Sequence, residues 1–492
     1  MTEAGGLLEP GRNCWRIEHA SRVGMVVDAD AYFRAARAAM LKAERQILLI
    51  GWEFDARIKL VMDEEDEGPT EVGAFLSWLV KRKPELNIYL LRWDYGAMKA
   101  FLHLRTLVRL ISWQFGGRIH PRLDTLHPPT ASHHQKIVVI DDCLAFCGGI
   151  DMTRDRWDTR EHLDHLPNRL EPDGTPYGPW HDATCALSGP AAKALGELCR
   201  QRWARSGGGT LPSIDSVHDC WPEHLPVTLK NAEVAISRSR PKWKKEEAHL
   251  EIEHLYLDLI ASARRFIYAE SQYFASRRIA EAIAARLAEP DGPEFVILNP
   301  LSAQGWLEPI AMDSARARLV EAMNGRDPHK RLRLYHPYTA GGEPIYVHAK
   351  IMVVDDQVLR VGSSNFNNRS LRLDSECDVT IDAGCPANDH AGPAIAAIRN
   401  DLLAEHLGTS AEEVAETFAR TGSLIATVET LRRAPGRTLR PYEVPDLAAV
   451  TTWLADNKIL DPEGPEEMFE AISRRSGLLD RLRRRRGARR AR

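Results

Sequence analysis

The sequence predicts an α/β protein of two homologous lobes. Each lobe is expected to be a mixed sheet flanked by helices, the two related by a pseudo-two-fold axis, with a short helical C-terminal extension. Three observations lead there. A segment near residue 134 recurs 214 positions later. Short apolar runs follow helix-length stretches in both halves, the pattern of buried strands with helices on their faces. A stretch rich in glycine and proline separates the halves. The 492 residues are enough for two or three separate cores.

Taken in chain order, 28–43 reads as a helix and 46–50 as a short buried strand, followed by another strand at 87–91. Next comes His133-His134-Gln135-Lys136, the apolar run 137–140, Asp141-Asp142, and then Gly148-Gly149-Ile150-Asp151. These elements make a first lobe at 1–210. Ser206-Gly207-Gly208-Gly209-Thr210 opens a linker at 211–228. The second lobe, 229–443, repeats the order: a helix at 246–263, strands at 266–270 and 294–298, and Val347-His348-Ala349-Lys350 with the apolar run 351–354, Asp355-Asp356 and Gly362-Ser363-Ser364-Asn365. Residues 444–492 read as helices followed by an arginine-rich tail.

The offset of 214 holds for His134 and His348, Lys136 and Lys350, Asp141 and Asp355, and Gly148 and Gly362. His133 falls opposite Val347 and is therefore an ordinary core or surface residue. Strand alternation puts His134 and Lys136 on one face and Gln135 on the other. One strand end then aims an imidazole and an ammonium at one point. That pair suits a phosphodiester: lysine offers fixed positive charge to the non-bridging oxygens, and imidazole is a nucleophile or general acid near neutral pH. Displacing an alcohol from phosphorus needs a nucleophile and, on the far side, an acid. Two copies facing each other supply both. Asp141 and Asp355 close their apolar strands and turn away from His and Lys, so a structural role through hydrogen bonds or an ion pair is expected of them.

Composition narrows the class. Net charge is −4, and the eight arginines after Asp480 leave −12 on the rest of the chain. An acidic body argues against a nucleic-acid partner, since phosphate backbones are held by clustered cations. The arginine tail is expected to be solvated, with contact to anionic lipid as the alternative. No apolar stretch approaches the roughly 20 residues that span a bilayer, and the N-terminus carries no basic-then-apolar pattern. A cytoplasmic protein, at most peripheral on the inner face of the membrane, is expected. The eight dispersed cysteines, without a CxxC pair, are expected to be reduced and partly buried.

At this point the residues resemble the phospholipase D superfamily, whose signature is the paired His-x-Lys-x4-Asp motif, over about residues 15–440. Arg156-Trp157-Asp158-Thr159…His162, Pro179-Trp180-His181-Asp182, Glu270-Ser271-Gln272-Tyr273-Phe274 and Arg369-Ser370-Leu371 with Asp374-Ser375-Glu376 look like the larger eukaryotic-type members. The resemblance implies hydrolysis of a phospholipid head-group phosphodiester to phosphatidic acid and an alcohol through a phosphohistidine. It implies His134 as nucleophile and His348 as acid, then base. Asp182 and Glu376 would orient the imidazoles, and Lys136, Lys350 and Asn365 would hold the phosphate. No cofactor and no metal is implied, and a monomer is expected. Asp151 departs from the pattern, because a carboxylate stands where the second copy has Asn365. Head-group choice is assigned to loops 116–132 and 335–346, and membrane contact to the tail or to surface tryptophans such as Trp113. A phosphatidyl transferase like a cardiolipin synthase is the alternative. A nuclease and a non-catalytic lipid binder fit less well.

Overall fold

The computed structural model describes residues 6–62, 67–93, 110, 112–113, 117–215, 218–303, 308–433 and 436–445. The first half contributes β1 (Arg16–Val27), α1 (Ala29–Lys42), β2 (Gln46–Gly51), α2 (Val72–Arg82), β3 (Asn87–Trp93), β4 (Ile119–Asp124), β5 (Ile137–Ile140), β6 (Leu144–Gly148), β7 (Trp180–His181), β8 (Ala183–Ser188) and α3 (Pro190–Trp203). The second half contributes β9 (Leu229–Arg240), β10 (His249–Leu250), α4 (Glu251–Ser262), β11 (Phe266–Glu270), α5 (Arg277–Leu287), β12 (Glu294–Leu298), α6 (Glu308–Asn324), β13 (Leu332–Tyr338), β14 (Tyr346–Val347), β15 (Ile351–Val354), β16 (Val358–Gly362) and β17 (Glu376–Asp382). Then follow α7 (Gly392–Leu407), α8 (Ala411–Thr421), α9 (Leu424–Leu431) and β18 (Thr438–Pro441).

The apolar runs are buried throughout: every residue of β5 and β15 is out of solvent. Such strands need a layer on each face. The helices provide it, α1 through Tyr32, Phe33, Ala36 and Met40, which recur at helical spacing on its inner side. All the long strands join one mixed sheet, in the order β18-β13-β12-β11-β15-β16-β17-β9-β1-β8-β6-β5-β2-β3-β4, with β10 paired to β9. Outward from the β9–β1 pair, the first six strands on each side follow one rule: β17, β16, β15, β11, β12 and β13 answer β8, β6, β5, β2, β3 and β4. β2, β3 and β4 are parallel, as are β11, β12 and β13. The joint is the long antiparallel pair β1–β9, in register from Arg16 opposite Ile236 to Val23 opposite Leu229. One core runs across it, with Leu195 and Leu198 of α3 in the same cluster as Val234, Val379 and Leu402.

Several details differ from the sequence reading. Helix 246–263 begins only at Glu251, because His249 and Leu250 pair with Arg240 and Ser239 first. Residues 6–14 lie against the second half: Arg12 and Asn13 each reach Asp258 at 2.7 Å. Trp113 is not a surface tryptophan. It is buried, and its indole N–H donates to Ser77 Oγ at 2.9 Å. The expectation of reduced cysteines fails at one pair, since Cys143 and Cys220 form a disulfide. The linker folds back over the β5–β6 turn and brings together residues 77 positions apart, which no local spacing could announce. Of the remaining cysteines, five are buried and Cys385 is half-buried. The expected helical extension and arginine tail fall beyond residue 445, outside the described residues. No described helix is long and apolar enough to cross a membrane.

Candidate active site

His134 and Lys136 do not lie inside a ladder, as strand alternation alone suggests. They occupy the extended approach to β5 and pair with the opposite half of the chain. His134 N–H donates to Ser375 O at 2.9 Å, and Ser375 N–H to Ser132 O at 3.0 Å. The second copy does the reverse. β14 pairs in parallel with β7, and His348 N–H donates to His181 O at 2.8 Å. Each motif therefore enters the site stitched to the other half.

The carboxylates are crossed in the same way. Glu376, from the second half, lies 2.9 Å from Nδ1 of His134. Asp182, from the first half, lies 2.6 Å from Nδ1 of His348. A carboxylate on Nδ1 fixes the tautomer with the proton there, leaving Nε2 as the nitrogen that can meet a substrate. Glu376 also accepts from Ser363 Oγ at 2.6 Å and Ser370 Oγ at 2.7 Å. The glycines after each motif make room for carboxylates, Asp182 in the first copy and Asp378, which accepts Ser363 N–H, in the second. A Cβ on Gly149 would sit 2.1 Å from Asp182 Oδ1, and one on Gly362 2.0 Å from Asp378 Oδ1.

The electrostatics place both imidazoles and both lysines in one field. Burial pushes the His134 imidazole well below its usual value, and Lys136 and Lys350 push it further. Burial does the same to His348, helped by Lys350, Arg156, Lys136 and His134. Burial brings Lys350 down to about 7, opposed by Asp182. Burial also lifts the Glu376 carboxyl to about 8, against the Ser363 and Ser370 hydroxyls and Lys136, and it raises Asp182 against the pull of Lys350. A site this crowded with cationic groups gains most from an anion between them.

The two copies are not equivalent. Lys136 Nζ lies 2.9 Å from Asp151 Oδ2 and donates to His134 O at 3.0 Å. Lys350 donates to His348 O and lies 3.5 Å from Gln272 Oε1, and among the described residues it forms no ion pair such as Lys136 makes with Asp151. Asn365 stands 3.5 Å from the same Gln272 oxygen, and its own Oδ1 makes no hydrogen bond. Asp151 thus occupies Lys136, while its counterpart Asn365 can accept or donate to a ligand.

Asp141 and Asp355 lie away from the imidazoles and hold the sheet. Asp141 accepts the backbone N–H groups of Glu44, Arg45 and Gln46 at 2.5, 2.9 and 2.6 Å. Asp355 accepts those of Arg264, Arg265 and Phe266 at 2.6, 2.8 and 2.8 Å. His133 is buried between Ser375 Oγ at 2.7 Å and Asp124 at 3.1 Å. Sequence reasoning missed several residues: Ser363 and Ser370 on Glu376, Gln272 between Lys350 and Asn365, and Trp180, whose ring lies 5.1 Å from His348 and under the Arg156 guanidinium at 4.3 Å. All of them neighbour motif residues, which is the only signal the sequence offers for them. Of the loops expected to choose the head group, 339–343 is pinned to Asp164, through Thr339 Oγ1 and through Gly341 N–H at 2.9 Å.

Known proteins resemble this chain. A family model described as "Phospholipase D" matches residues 124–280, and one described as "Cardiolipin synthase, PLD-like domain" matches 256–391. Phospholipase D alpha 4 of Arabidopsis thaliana is 25% identical over 75% of this chain and 62% of its own length. Phospholipase D1 of Saccharomyces cerevisiae is 24% identical over 79% of this chain and 29% of its own length. The chain thus spans less than two thirds of either relative. A phosphatidylserine synthase structure from Haemophilus influenzae shares the fold, with a TM-score of 0.52 at 13% identity over 78% of this chain and 89% of that one. Both copies of the motif fall within the matched regions, and the chain belongs to the phospholipase D superfamily.

Proposed function

We propose that the protein hydrolyses the head-group phosphodiester of a glycerophospholipid, releasing phosphatidic acid and an alcohol. The observation that carries the reading is the crossed arrangement, in which each imidazole has its Nδ1 held by a carboxylate of the other half. His134 Nε2 attacks phosphorus, and the charge it gains is met by Glu376. The non-bridging oxygens are held by Lys350 and Asn365, with Lys136 behind. His348, oriented by Asp182 and protonated at Nε2 as the phosphodiester anion enters between the imidazoles, gives that proton to the departing alcohol. It then takes a proton from water, which cleaves the phosphohistidine and frees His134. The substrate is drawn from a membrane surface, met peripherally by a monomer at the cytoplasmic face.

Incubating the pure protein with defined phospholipids, with and without a primary alcohol, tests the reaction. Mass spectrometry should find phosphatidic acid in water. His134→Ala and His348→Ala should each cut turnover by at least about a thousandfold, and full activity in either removes that residue from the mechanism. A phosphatidyl-alcohol as the sole product favours the transferase reading, which the "Cardiolipin synthase" family description supports. No lipid turnover, with cleavage of single-stranded DNA, rejects both.

A further inference from the structure

Behind Asp182 lies a second buried group that the chemistry above does not use. Asp28, His162, His181 and Glu405 bring one donor atom each within 4.8 Å of one another, and all four are buried. They come from the start of α1, the loop after β6, β7 and the end of α7. We propose that these four residues bind a structural divalent transition-metal ion of the zinc class.

The case rests on where each donor's other atom goes. His162 Nδ1 lies 2.9 Å from Asp158 Oδ2. His181 Nε2 lies 2.7 Å from Glu270 Oε2. Glu405 Oε2 takes Arg160 Nε at 2.6 Å. Asp28 Oδ1 accepts Asp182 N–H at 3.1 Å. Every ligand is therefore fixed from outside, and each histidine by a carboxylate, the usual support of a metal-bound imidazole.

The inner atoms are left facing one another. Asp28 Oδ2 and His181 Nδ1 are buried and make no hydrogen bond. His181 Nδ1 is only 2.7 Å from Glu405 Oε1, yet the two do not align as donor and acceptor. A protonated Nδ1 would point its N–H at that oxygen; a lone pair directed at a shared centre need not. The remaining inner separations are 3.0 Å from His162 Nε2 to Glu405 Oε1 and 3.6 Å from His162 Nε2 to Asp28 Oδ2; the outer oxygen of Asp28, Oδ1, lies 3.3 Å from His181 Nδ1. Ligands about 2.0–2.2 Å from tetrahedral zinc stand about 3.3 Å apart.

Charge permits the same reading. Asp28, Asp158, Glu270 and Glu405 face Arg160 and Arg169, so the two buried negative charges left over by the arginines are met either by protons on the two imidazoles or by a bound cation. One divalent cation balances them, and an N2O2 donor set suits zinc. Such an ion would tie α7 to the strand that carries Asp182, and so hold the carboxylate of His348 in place.

The test uses the full chain, purified without a histidine tag from zinc-supplemented medium. Elemental analysis should find about one zinc per chain, and X-ray absorption should show a nitrogen and oxygen shell without sulfur. Prolonged EDTA should lower Tm by several degrees, and ZnCl2 should restore it. His162→Gln and Glu405→Gln should each lose the metal, whereas His218→Ala keeps it. Less than about a tenth of an equivalent in the wild type, with Tm indifferent to EDTA and ZnCl2, overturns the proposal and leaves a proton-held ion-pair network. Sulfur in the shell, or metal retained in both ligand variants, overturns it too, the former pointing to Cys143 and Cys220.

Discussion

At the scale of single residues, the site is a balance between burial and opposed charges. Glu376 shows it most clearly. Its folded carboxyl is raised to about 8 by burial, above the ordinary value of about 4.3. The native state therefore holds a proton that the unfolded chain releases. The stability this confers is complete below about pH 4.3 and is lost as pH rises through about 8. Glu376→Gln removes the titration. Between about pH 5 and pH 8.5 the wild type should lose stability relative to the variant, by roughly 4 kcal/mol at most, as read from denaturation midpoints. Equal slopes for both proteins would contradict the burial argument. The variant should also turn over more slowly, because the glutamic acid can release its proton as His134 gains charge and the amide cannot. Asp151→Asn makes the first copy like the second and frees Lys136. It should tighten inhibition by inorganic tungstate several-fold, and an unchanged inhibition constant would mean that Lys136 does not face the anion.

At the scale of elements, the repeated motif holds two different jobs. The aspartate at its end grips three successive backbone N–H groups at the head of β2 or β11. Strand alternation foretold the direction of these side chains but not their partners. Asp141→Ala should destabilise the protein by about 2–4 kcal/mol, since three charge-assisted bonds are lost at a buried strand end, and Asp355→Ala by less, since Asp355 is half-buried. At a temperature where both variants are folded, kcat should stay within a few-fold of wild type. A large fall in kcat with Tm unchanged would move these residues into the chemistry.

At the scale of the whole molecule, neither half holds a complete site. His134 depends on Glu376, His348 on Asp182, and β1 and β9 close one sheet. Residues 1–210 and 211–492 expressed separately should each be inactive, and co-expression should restore turnover. Activity in either half alone would break the crossed arrangement.

Alone, the sequence singled out the side chains to which the proposed chemistry is assigned, and it also placed the strands. A spacing repeated at one offset marks paired function, and an unbroken apolar run can only be buried. It even separated His134 from His133. Only the tertiary structure decided who pairs with whom. The exchange of carboxylates between halves, the Asp151–Lys136 pair, the Cys143–Cys220 bridge, the burial of Trp113 and the gathering of Asp28, His162, His181 and Glu405 all join residues far apart in the chain. Periodicity records the face a residue presents to its own strand or helix. It holds no record of the distant element that packs against that face, because that choice is made by the burial and charge of the assembled sheet.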